Sequence, residues 1–64
     1  MRRSEFWART RRHLGEQYAD TYAREQVIGE LGSRTVHEAF AAGEDTKVIW
    51  RAVWAALKLP ASER

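Results

Sequence analysis

The chain has 64 residues, no cysteine, 31% charged residues and a formal net charge of +2. That length suffices for one domain with a small core, and the missing cysteines exclude a disulfide framework or a thiolate metal site. No apolar run approaches the ~18 residues that span a bilayer, and no apolar segment follows Arg2 and Arg3, so the opening does not read as a secretory signal.

Ser4 is placed as the N-cap of a first helix over residues 5–14, with Glu5 in the turn where an acid suits the helix dipole. Phe6, Trp7, Thr10 and Leu14 share one side of it, and Gly15 suits the left-handed position that closes a helix. A second helix is expected over residues 16–31. Ala19, Ala23, Val27 and Leu31 recur every four residues as its apolar stripe, flanked by Tyr18 and Tyr22 on one side and Ile28 on the other. Gly29 is a weak point within it, and Gly32 ends it.

A short third helix is expected over residues 36–42. Thr35 and Glu38 make the pattern T-x-x-E of a capping box, Val36, Ala39 and Phe40 supply the buried face, and Gly43 closes it. The fourth helix is expected over residues 46–57 behind Asp45. It is apolar around most of its circumference, and only Lys47, Arg51 and Lys58 form a polar stripe, which places it at the centre of the domain. Leu59 is expected to pack back on the core, Pro60 stops the helix, and residues 1–3 and 61–64 are expected to fray. The fold expected is therefore all-α: a small compact bundle of three to four helices within a single domain.

In this order stand Glu5-Phe6-Trp7, the link Leu31-Gly32-Ser33-Arg34-Thr35, then Glu38-Ala39-Phe40 with Gly43, and Val48-Ile49-Trp50-Arg51-Ala52 closing at Leu59-Pro60. The arrangement resembles, over nearly the whole chain, a family of short actinobacterial proteins known only as a domain of unknown function. Gly32-x-Arg34-Thr35, Glu38-Ala39 and Trp50-Arg51-Ala52 are its most specific pieces. Members of that family are often encoded beside the recombinase RecA and its regulator RecX. The resemblance implies no catalytic or binding residue to carry over. Many relatives have an Asp-His pair in the second helix where this chain has Glu25 and Gln26, so a role built on that histidine does not transfer.

Few residue patterns point to chemistry. His13 and His37 have no second histidine at helical spacing, and a metal site needs three or four converging ligands. Ser33, Thr35 and His37 sit on a turn and a cap, and Glu44 and Asp45 precede a helix, so capping accounts for them without acid–base or nucleophilic work. A bundle this small rarely holds a pocket of about 300 Å³ or more. Gly29-Glu30-Leu31-Gly32 matches the G-x-x-G string of a KH loop, yet it carries an acid and ends a helix. The third and fourth helices suggest a helix-turn-helix, but Glu44-Asp45 would face phosphate and the would-be recognition helix is too apolar to lie in a groove. No enzyme activity, cofactor, membrane span or small-molecule substrate is expected, and the absence of cysteine fits the cytoplasm.

Two surfaces remain. Trp50 and Trp54 stand four apart on the fourth helix beside Lys47 and Arg51. If the other helices leave them partly uncovered, they form a docking patch for a protein partner or a second copy. Residues 1–13 carry Arg2, Arg3, Arg9, Arg11 and Arg12 against Glu5, a net +4. That is the one concentrated charge, suited to weak contact with nucleic acid or an acidic protein surface. A non-catalytic protein-interaction or accessory module is the expected function; the alternative is a weak nucleic-acid-binding accessory of recombination or repair.

Overall fold

α1 (Arg3–Leu14) starts before the position read from the sequence. Ser4 lies inside the helix, and the backbone before it turns extended at Arg2, whose N–H donates to the Glu5 carboxylate at 3.5 Å. Thr10 is buried within α1 because its hydroxyl donates back to the Phe6 carbonyl at 2.8 Å, so no polar group is stranded. Gly15 ends α1 and opens α2 in one residue. Its φ of 87° and ψ of 152° lie in a region open essentially to glycine alone.

The computed structural model describes every residue from Met1 to Arg64. α2 (Glu16–Glu25) is shorter than expected. The chain leaves the helix at Gln26, pairs Ile28 with Arg34 in a single antiparallel bridge, and makes a 3-10 turn over Gly29–Leu31. The reason is packing. Two β-branched residues followed by glycine hold a helix weakly, and the break lets Ile28 and Leu31 both enter the core while Val27 turns outward. A continued helix would have buried Val27 and left Ile28 on its flank. Gly32 then reverses the chain with φ 72° and ψ 37°.

α3 (Val36–Ala41) carries the expected capping box. The Thr35 hydroxyl accepts from the Glu38 N–H at 3.1 Å, and the Glu38 carboxylate accepts from the Thr35 N–H at 2.8 Å. α4 (Thr46–Ala56) starts where Asp45 accepts from the Lys47 N–H at 2.8 Å. It stops at Lys58, a non-glycine residue held at φ 55°. Beyond Pro60 the chain does not trail away: Ala61–Glu63 form a second 3-10 turn that returns to α4 and α1.

α1 packs on α2, α2 on α3, α3 on α4, and α4 closes back on α1 and on the Gly29–Leu31 turn. The fold is all-α, and α4 is its central element. Ile49, Trp50, Ala52 and Val53 are all buried there, meeting Phe6, Tyr22, Ala23, Ile28, Leu31, Val36 and Ala39 in one core. Phe6 is the hub of the aromatic packing: the rings of Trp7, Phe40 and Trp50 each stand edge-on to it, with centroids 5.1, 5.3 and 6.1 Å away. No helix is long and apolar enough to cross a membrane.

Candidate functional site

The tryptophans of α4 part company. Trp50 is fully buried, which corrects its placement on a docking surface. Its indole N–H donates to the Glu63 carbonyl at 3.0 Å, and its ring lies under the Arg9 guanidinium and beside the His13 imidazole. The cover comes from α1 and from the last turn of the chain, which is ordered where the sequence predicts fraying. Trp54 is half-buried. Its N–H donates to the Pro60 carbonyl at 2.9 Å, and Arg64 lies over its ring. Pro60 and the turn that follows it thus satisfy both indoles, a polar requirement that buried tryptophans carry with them.

Lys47 and Arg51 are exposed on the outer side of α4, one turn apart. Val48, 46% exposed, flanks them, and Lys58 is exposed just past the end of the helix. No carboxylate lies within 4.0 Å of Lys47, Arg51 or Lys58. This outward face of α4 joins unpaired cations to exposed apolar surface.

The arginines of α1 do not form one patch. Arg3 lies 4.5 Å above the Phe40 ring and Arg11 5.7 Å from Trp7, on the side facing α2 and α3. Arg9 covers Trp50, and Arg12 pairs with Glu63 at 3.4 Å, on the side facing α4. Arg2 precedes the helix and is exposed. A 3.6-residue period sends neighbours in sequence to opposite flanks, and four of the five cations are engaged within the protein.

Glu63 also meets His13, whose Nε2 lies 2.9 Å from its carboxylate. The His13 hydrogen bond, aided by the charges of Arg12 and Arg9, holds the Glu63 carboxyl below its usual pKa against a smaller opposing effect of desolvation. His37 lies across the molecule, its Nε2 4.0 Å from Asp20. There Trp7, Arg11, Glu16, Asp20 and His37 line an open cleft of about 340 Å³, larger than the sequence reading allowed for so small a bundle. Trp7 and His37 also border a neighbouring hollow with Arg3 and Phe40. Nothing in the sequence signalled this cleft, because its walls come from three helices and from positions 30 residues apart in the chain.

Arg34 was missed for a different reason: on a link it looks like a solvated cation. Its Nε donates to the Leu31 carbonyl at 2.7 Å and its Nη2 to Glu44 at 3.1 Å. It ties the turn after α2 to the entry of α4, and the pattern Gly32-x-Arg34-Thr35 is the turn, its clamp and the next cap in succession.

Charge is divided by element. Residues 1–15 and 46–64, which hold α1, α4 and the last turn, carry nine basic and two acidic side chains; residues 16–45 carry two basic and seven acidic ones. Every ion pair lies within one of these two groups, and none joins them. Toward the acidic side, burial first, then the neighbouring Tyr18 and the charge of Glu30, push the Tyr22 phenol above its usual pKa.

A family model described as "Protein of unknown function (DUF3046)" matches residues 1–62. No curated protein matches the chain, and no solved structure does.

Proposed function

The chain belongs to the DUF3046 family of proteins of unknown function, and we propose that it acts as a non-catalytic protein-interaction module that docks an acidic partner on the outward face of α4. The observation that carries this reading is exposed Val48 beside the cations Lys47, Arg51 and Lys58, none of which has a carboxylate partner, with half-buried Trp54 one turn on from Arg51. Apolar surface set among cations suits a protein face, where burial supplies affinity and charge supplies orientation. Phosphate binding would favour cations alone. The entry to α4, Glu44 and Asp45, adds negative charge there, and the arginines of α1 are split between two flanks with most already engaged.

Photo-crosslinking tests this. Val48→benzoylphenylalanine, expressed in the native host and irradiated, should yield discrete protein adducts, and the Lys47→Glu/Arg51→Glu background should remove them. The same probe at exposed Gln17 on α2 serves as the control. Adducts to nucleic acid, no adducts at all, or adducts indifferent to the charge reversal would each overturn the reading.

A further inference from the structure

The surface that complements α4 is present on this molecule. Apart from Met1 and Tyr18, the large apolar side chains left exposed are Val48 on α4 and Val27 just after α2, at 46% and 54%. Val27 lies in the chain between Glu25 and Glu30, both exposed and with no cation within 4.0 Å. Val48 flanks Lys47 and Arg51, which have no anion within 4.0 Å. One patch is apolar and acidic, the other apolar and basic. The elements that carry them adjoin, because the Gly29–Leu31 turn packs on α4.

We infer that the partner of the α4 face is a second copy of this chain, related by a two-fold axis, with α4 of each copy on the acidic end of α2 and the following turn of the other. The inference rests on the reading that α4 is an interface, and it names the partner. Two-fold pairing makes each contact twice, so one protomer must carry both a patch and its complement. Regions of opposite charge on adjoining elements, each with an exposed valine, meet that requirement. Within one protomer these charges are not neutralised, since no ion pair links the basic and acidic groups of elements. The valines would supply the area removed from water, and the four charges the register, since exposed pairs add little affinity individually.

A charge exchange tests the pairing. Analytical ultracentrifugation of the wild-type chain, at up to about 1 mM, the weak end of measurable association, should show dimers at roughly 0.01 M salt that dissociate at about 1 M, where screening falls to ~3 Å. Lys47→Glu/Arg51→Glu alone and Glu25→Lys/Glu30→Lys alone should each be monomeric, because each would face its own charge. An equimolar mixture should form one-to-one dimers again. All four positions are exposed, and circular dichroism of each variant confirms the fold. A monomeric wild type, a dimer that survives either reversal, or a mixture that stays monomeric would overturn the inference. If the wild type is monomeric but the Val48 probe still captures another protein, the second copy is wrong while docking on α4 stands. If the probe captures nothing, both fall.

Discussion

Trp50 sits on the most apolar helix, whose aromatic stripe suits either a core or a docking patch, and it is the largest fully buried side chain in the molecule. Removing it opens a cavity that α1 and the last turn cannot fill, so Trp50→Ala should cost about 3–5 kcal/mol. A domain of this size has only about 3–10 kcal/mol of total stability, and thermal denaturation should find the variant largely unfolded or shifted far down in melting temperature. Trp54→Ala removes a half-buried ring and one hydrogen bond, and should be distinctly milder in the same measurement. Arg34 makes the contrasting case of a side chain whose importance lies in what it ties together. Arg34→Ala leaves the Leu31 carbonyl and Glu44 without their donor and should lower stability by about 1–2 kcal/mol in urea unfolding. Arg34→Lys should recover only part of that, since an ammonium cannot reproduce two directed bonds from one planar group. Neither role shows in the residue type. Burial of Trp50 is decided by what lies above it, and the function of Arg34 by which carbonyl and carboxylate the chain brings near.

At the scale of elements, local signals fixed the starts of α3 and α4, because a capping box and an Asp N-cap act within three or four residues. The end of α2 was not legible, because the periodic stripe Ala19, Ala23, Val27, Leu31 fits a continuing helix equally well. Packing chose the break that buries Ile28. The reversal that follows depends on Gly32 at positive φ. An added Cβ there meets no atom within 4 Å, so the cost of Gly32→Ala is one of backbone strain, about 1 kcal/mol in chemical denaturation. The last turn was the largest departure, since Pro60 and the polar residues after it carry no apolar pattern. What holds it is two indole donors, the His13–Glu63 bond and Arg12. This clamp has a pH dependence with a defined sign. The folded protein lowers the pKa of Glu63 from its ordinary 4.5, so the stabilisation is present above that value and is lost as the pH falls below it through the folded value. Tryptophan emission should shift as Trp50 and Trp54 lose their cover over that acid range, and Glu63→Gln should flatten the transition.

For the whole molecule, the division of charge between α1 with α4 and the intervening elements matters more than the net +2. None of the ion pairs within the protein uses Lys47, Arg51 or Lys58. Lys47→Glu/Arg51→Glu should therefore leave the unfolding free energy within about 0.5 kcal/mol of wild type, as exposed substitutions generally do, while abolishing capture at Val48. A large loss of stability would show that these cations support the fold instead.

The sequence by itself determined the all-α class, the centrality of α4, the capped starts of α3 and α4, and the family, because periodicity, caps and ordered short patterns are local properties of a chain. Tertiary structure alone decided that Trp50 is sealed, that Val27 faces outward, that the arginines of α1 separate onto two flanks and that Arg34 and Glu63 act as clamps. Those outcomes depend on which distant residues share a surface, and a 64-residue bundle settles that by filling one small core at the expense of any single helix's preferred length.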